Sequence, residues 1–140
     1  MARVLGVDLG SVRIGLALSD PSGTLASPHS VIMRRGDPDA DRREILAVAR
    51  AEEVDRIVVG MPRSLNGREG PAARAAREEV DALAAAAPDL VVEAYDERLT
   101  TVIANRSLIE SGVGRSGRKR VVDKVAAAVM LQGYLDAHRG

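Results

Sequence analysis

Three carboxylates stand where carboxylates are costly or conspicuous. Asp8 lies between Val7 and Leu9, at the end of an apolar, β-branched segment (Arg3–Leu9) that reads as a buried strand. Asp is depleted in strands, and a buried charge is expensive unless it is paired or holds a cation. Glu97 follows a second apolar run, Leu90–Tyr95, and Asp123 stands just before Val125-Ala-Ala-Ala128, in the first turn of a closing helix. Each has a plain alternative. A strand-end Asp can bond a turn amide, Glu97 can pair with Arg98 on a surface loop, and an acid in a first turn stabilises its helix by about 0.3–1 kcal/mol. Asp96 fits the plain reading better than Glu97 does, since two adjacent side chains do not both point into one site. Together the three are hard oxygen donors with no His or Cys among them, a set suited to Mg²⁺ or Mn²⁺ rather than zinc. Two such ions, about 3.5–4 Å apart, can activate water and stabilise the leaving oxygen of a phosphodiester, so the chain itself need supply no nucleophile.

The basic residues suit a phosphate-bearing partner. From Arg98 to Lys124 there are seven basic residues against two acids, whereas from Asp37 to Asp55 there are seven acids against three basic residues. The run Gly114–Arg120, with Arg115, Arg118, Lys119 and Arg120, reads as a flexible loop beside Asp123. It is either a solvated surface or a clamp on a phosphate backbone. Met61–Gly70 offers backbone amides, Arg63, Asn66 and Arg68, and it lacks the Gly-Lys-Ser/Thr ending of a P-loop. Gly10, two residues after Asp8, lets an anionic group approach the backbone, and Arg13 follows it.

These residues need a scaffold that brings distant segments to one edge. Arg3–Leu9, Ile14–Ser19 and Leu25–Arg35 read as three strands; Gly10-Ser11 and Asp20-Pro-Ser-Gly23 turn between them, giving an antiparallel meander. Asp37–Glu53 then changes to helical period, with Ile45, Leu46 and Ala49 on one face. Arg56–Gly60 is a strand, Pro71–Ala87 a helix, Leu90–Tyr95 a strand and Thr100–Ser111 a helix. Gly112–Arg120 is expected as a mobile loop, and Val121–Ala137 as a helix with Val122, Val125, Ala126 and Val129 inward. The order predicts one α/β domain over residues 1–140: a five-stranded mixed sheet, three strands antiparallel and two more parallel, with helices on both faces. Parallel strands would put Asp8 and Glu97 at one carboxyl edge, where ligands of open α/β sheets gather.

Composition narrows the field. The chain has 140 residues, no Cys and only two His, which excludes disulfide and Cys-type zinc frameworks. Its longest uncharged stretch, Val125–Leu135, is far short of the ~20 residues that span a bilayer. Asp8 interrupts any signal-peptide core, so a cytoplasmic location with no membrane contact is expected. Aromatics are 1% of the chain, which argues against recognition by base stacking.

Four ordered segments resemble one family across nearly the whole chain. They are Gly6-Val-Asp-Leu-Gly-Ser-Val-Arg-Ile-Gly-Leu-Ala-Leu-Ser-Asp20, Val59-Gly-Met-Pro-Arg-Ser-Leu-Asn-Gly67, Asp96-Glu-Arg-Leu-Thr-Thr101 and Val122-Asp-Lys-Val-Ala-Ala127. The family is YqgF, also called RuvX or Holliday-junction-resolvase-like, and its members are associated with trimming the 5′ end of pre-16S rRNA. The resemblance implies a ribonuclease H-like fold and divalent-metal hydrolysis of phosphodiesters in the cytoplasm. It implies Asp8, Glu97 and Asp123 as catalytic metal ligands. Gly10, Arg13, Arg63, Asn66, Arg68, Arg98, Arg115, Arg118, Lys119 and Arg120 would contact nucleic acid. Related resolvases carry a fourth carboxylate three residues after the helix Asp; here that position is Ala126. Structured RNA is the leading partner. Branched DNA cut by a homodimer, a non-catalytic RNA-binding assembly factor and an actin-like nucleotide-binding module are the competing readings, and the chain is expected as monomer or homodimer.

Overall fold

The computed structural model describes residues 3–61, 70–96 and 115–138, with side chains from residue 124 onward in the last segment. Five strands form one sheet: β1 (Arg3–Leu9), β2 (Arg13–Ser19), β3 (Ala26–Met33), β4 (Val54–Met61) and β5 (Val91–Asp96), in the order β3-β2-β1-β4-β5. β1 runs antiparallel to β2, and β2 to β3, whereas β4 is parallel to β1 and β5 to β4. This is the expected mixed sheet.

Three helices are described: α1 (Pro38–Ala51), α2 (Pro71–Ala86) and α3 (Arg115–Ala137). Alternation along the central strands assigns them to opposite faces. Leu5, Val7, Ile57 and Val59 pack with Ile45 and Ala49 of α1 and Ala73, Ala76 and Leu83 of α2. Val4, Ala17 and Val58 pack instead with Ala126, Ala127, Met130, Leu131 and Tyr134 of α3. Because β1 and β4 are buried on both sides, their apolar runs are nearly continuous rather than alternating.

Several boundaries differ from the sequence expectation. α1 opens on Asp37, whose side chain accepts from the Asp39 amide, and it ends at Ala51 rather than running to Glu53. Glu53 sits at φ 55°, the left-handed position that commonly follows a helix, and β4 then starts two residues early, at Val54. The larger correction is α3. It begins at Arg115, so residues 115–120 are helix and not the expected loop, and Asp123 is in the third turn rather than the first. Arg, Lys and Ser are adequate helix formers, but a polar stretch carries no apolar period by which to see the helix. The inward face of α3 is also shifted: Ala126, Ala127, Met130, Leu131, Tyr134 and Leu135 are buried, while Val125 and Val129 are only half-buried. The expected helix 100–111 and most of the 61–70 loop lie outside the described residues.

Candidate active site at the carboxyl edge of the sheet

Asp8 is 6% exposed, one residue before the end of the central strand β1. It alternates with Val7, which faces α1 and α2, and so shares the α3 side with Val4. Register sets its neighbours. Asp8 pairs with Gly15 of β2, and Gly15 with Val31 of β3. Val7 pairs with Val59, so the next residue, Gly60, stands beside Asp8 on β4, and Gly60 pairs with Tyr95 of β5. One row therefore crosses the sheet on the α3 side: Val31, Gly15, Asp8, Gly60, Tyr95. Glu97 is two residues beyond Tyr95, past the described end of β5.

Helix α3 brings Asp123 to the same edge. A Cβ on Gly6 would lie 3.0 Å from Leu131 Cβ, so the helix rests close on β1 there. Gln132 accepts from the Ala26 amide at 2.9 Å and donates to the Thr24 carbonyl, which pins the C-terminal half of α3 over the far end of the sheet. Its N-terminal half therefore runs toward the carboxyl edge. Lys124 confirms the direction: it lines a hollow with Val31 and Met33, in and beyond the row of Asp8. Asp123 is eight residues before Leu131, a rise of about 12 Å. Asp8 is two residues beyond Gly6, about 6.6 Å along β1. Both positions thus stand at one end of the fold.

The remaining candidates divide by location. Arg115, Arg118, Lys119 and Arg120 occupy the first two turns of α3. Arg63, Asn66, Arg68, Arg98 and Glu97 lie outside the described residues. Gly10 has a reason in the turn itself: its amide donates to the Arg13 carbonyl at 2.9 Å, and a Cβ would come within 2.5 Å of that oxygen. Arg13 opens β2, half-buried. Neither tyrosine is available to a nucleic-acid base. Tyr95 and Tyr134 are both buried and meet edge to face, with ring centroids 5.6 Å apart. Burial pushes the Tyr134 hydroxyl above its ordinary pKa and Glu93 adds to this, while Arg56, which donates to it at 2.7 Å, opposes them. Sequence reasoning passed over Gly15 and Gly60; their only signal is glycine inside a strand, where it weakens the strand and often marks a close approach.

Among the described residues, no three His, Cys, Asp or Glu side chains gather to hold a metal ion; the side chains of Glu97 and Asp123 are not among those described. The donor chemistry fits a divalent hard cation. Asp8 is a buried carboxylate flanked by two residues that have no side chain, and the chain has no Cys to favour a softer metal. No helix among the described residues is long and apolar enough to cross a membrane.

A five-stranded mixed sheet in the order β3-β2-β1-β4-β5, with helices on both faces and a buried carboxylate at the end of its central strand, is a ribonuclease H-like fold. The chain belongs to the RuvX family: the family model described as "RuvX: Holliday junction resolvase" matches residues 2–137. A protein of Kineococcus radiotolerans is 47% identical over 135 residues, covering 96% of this chain and 72% of the relative. One of Clostridium botulinum is 43% identical over 134 residues, covering 96% of each. Both are named as candidate pre-16S rRNA nucleases. Among solved structures, Thermus thermophilus RuvC in complex with a Holliday junction substrate shares the fold at TM-score 0.62 and 16% identity, over 98% of this chain and 96% of that one. The yeast mitochondrial resolvase Ydc2 shares it at TM-score 0.53 and 13% identity, over 96% and 78%.

Proposed function

We propose that this chain is a divalent-metal-dependent nuclease of the cytoplasm that processes the 5′ end of pre-16S rRNA, with its whole site on one domain of residues 1–140. One observation carries the reading: a buried Asp8 at the carboxyl end of the central parallel strand, on the side covered by the helix that bears Asp123. The names of its relatives supply the substrate.

Asp8, Glu97 and Asp123 would hold Mg²⁺ or Mn²⁺. The chemistry such ions supply is polarisation of the phosphoryl oxygen and activation of water. Asp8 contributes a fixed negative charge at low exposure, where electrostatic attraction is screened less than at the surface. Position 123 precedes Tyr134 by three helical turns and lies on the same side of α3, the side turned to β4 and β5, since Tyr134 reaches Arg56 and Tyr95. Arg115, Arg118, Lys119 and Arg120, in the first two turns of α3, are the candidate phosphate contacts, together with Arg13, Arg63, Asn66, Arg68, Arg98 and the Gly10 turn. They would grip the phosphate backbone and orient the scissile bond.

The test is cleavage of a pre-16S rRNA fragment and of a four-way DNA junction side by side, by wild type and Asp8→Asn, in Mg²⁺ and in Mn²⁺. Cleavage of the RNA by wild type alone is expected. Cleavage confined to the junction would move the protein to branched DNA. Binding without cleavage would make it an assembly factor.

A further inference from the structure

Helix α3 carries Asp123 in its third turn, yet the polar bonds that tie its described side chains to the sheet come further along the helix. The described part of its buried face nearest position 123 is Ala126, Ala127 and Ala128, whose single methyls offer little relief to resist a roll of the helix about its axis. Met130, Leu131, Tyr134 and Leu135 follow and hold the helix down, but apolar contact is non-directional. Direction comes from two polar clips, one on each flank. Toward β4, the Tyr134 hydroxyl accepts from Arg56 at 2.7 Å. Toward β3, Gln132 Oε1 accepts from the Ala26 amide at 2.9 Å, while Gln132 Nε2 donates to the Thr24 carbonyl at 2.9 Å and to Asp136 Oδ1 at 3.0 Å. Gln132 is the more telling of the two. It is half-buried, and it joins two backbone groups 106 and 108 residues away in sequence. Those groups belong to a turn that is itself ordered, since Asp20 accepts from the Thr24 and Leu25 amides and its own amide donates to the Leu25 carbonyl. Hydrogen bonds weaken steeply off their preferred angle, so a helix tied to this turn at two points resists both roll and slide.

We infer that Gln132 is a positioning residue for the metal site: its bonds to the β2–β3 turn set the roll of α3 and, with it, the place of Asp123 relative to Asp8. The inference rests on the nuclease reading and adds to that site a residue remote from it. Position 123 precedes Gln132 by nine residues, which is two and a half turns and about 13.5 Å along the axis. The two therefore stand on opposite flanks of α3, and a roll released at one is felt at the other. At the helix surface, about 5–6 Å from the axis, a roll of about 10° displaces a group by about 1 Å. Misplacement of about 1 Å can cost on the order of a hundredfold in rate. Groups that orient metal ligands from outside the site typically contribute about 10–100-fold to metal affinity or activity.

The experiment compares wild type with Gln132→Met, which keeps the length and removes the amide, and with Ile45→Val, a core change on the opposite face of the sheet. Each is measured for Tm, for affinity for a fluorescent hairpin from the 5′ end of pre-16S rRNA in EDTA, and for kcat and half-saturating Mn²⁺ on that hairpin and on bis(p-nitrophenyl) phosphate. A metal-free readout accompanies these: the spin-label distance between Glu44→Cys, exposed on α1, and Lys124→Cys in a chain that has no other Cys. Gln132→Met is expected to bind the hairpin as wild type does, since phosphate contact tolerates small shifts, and to broaden the distance distribution. It should lose about tenfold or more in kcat and need about tenfold more Mn²⁺. Gln132→Glu keeps the acceptor for the Ala26 amide and loses the donor to Thr24, so it should lie between the two, and it is read alone if Gln132→Met does not fold. Ile45→Val should lower Tm and leave the other readouts unchanged in the folded fraction. Wild-type kcat and Mn²⁺ requirement in the folded Gln132 variants, or losses that only follow Tm, overturn the inference and leave the nuclease reading intact. A wild-type protein that hydrolyses neither substrate overturns the nuclease reading, and this inference with it.

Discussion

Gly6 and Asp8 stand two residues apart on the same side of β1 and answer to different demands. At Gly6 the helix comes so close that a methyl would sit 3.0 Å from Leu131 Cβ, and both partners are held by buried neighbours. Overpacking of this kind typically costs about 1–3 kcal/mol. Gly6→Ala should therefore lower stability in urea unfolding by that order, and unchanged stability would mean that α3 can lift without penalty. Asp8 was recognisable in the sequence because its type contradicts its surroundings: a carboxylate between Val7 and Leu9 needs a reason. Gly15 and Gly60 were not. Their meaning depends on cross-strand register, which puts residues 8, 15 and 60 side by side, and register is a property of the folded sheet.

Among the elements, the β2–β3 turn is held by one side chain. The Asp20 carboxylate accepts from the Ser22 hydroxyl at 2.6 Å, from the Leu25 amide at 3.1 Å and from the Thr24 amide at 2.8 Å, and these bonds lower its pKa from 3.8 to about 2. A carboxylate with a depressed folded pKa stabilises the fold fully above its unfolded value. That contribution fades as pH falls from 3.8 through about 2. In Asp20→Asn the Tm should depend less on pH across this window than in wild type, and identical acid limbs would contradict the assignment. Asp20-Pro-Ser-Gly23 was readable as a turn from residue types alone. The start of α3 was not. Arg115–Arg120 has no apolar residue to set a period, so its residue types read as loop and put Asp123 at a helix start, whereas the helix begins eight residues earlier. The dipole explanation for Asp123 falls with that placement, since the effect is confined to the first turn.

Over the whole molecule, zero net charge conceals a division. The acids of residues 37–55 lie on and around α1, on one face of the sheet, and the basic residues 115–124 lie on α3, on the other. With both tyrosines buried and no Phe or Trp in the chain, binding of nucleic acid through stacked bases has no aromatic platform among the described residues. Phosphate contact remains, and it is salt-dependent. In EDTA, log Kd for an RNA hairpin should rise steeply with log salt. Lys119→Gln should weaken binding at low salt and reduce the slope by about 0.7–0.9, the share of one phosphate contact. A flat salt dependence would remove the basic residues at the start of α3 from the interface. The order of strands and helices was readable at this scale because the period changes from two to 3.6 after the third strand. Which faces the helices cover became clear only from the packing of Val7 and Val59 against α1 and α2 and of Val4 and Val58 against α3.

The central claim is that the Asp8 carboxylate, buried at the end of β1, works in phosphodiester hydrolysis rather than in folding. Single-turnover cleavage of a pre-16S rRNA fragment by wild type and Asp8→Asn, with Tm measured on the same samples, tests it most directly. Loss of cleavage by about a hundredfold or more, the scale expected when a group acting at the reacting centre is removed, is expected with Tm maintained or raised, since Asn removes a buried charge. Wild-type cleavage by a folded Asp8→Asn protein would contradict it.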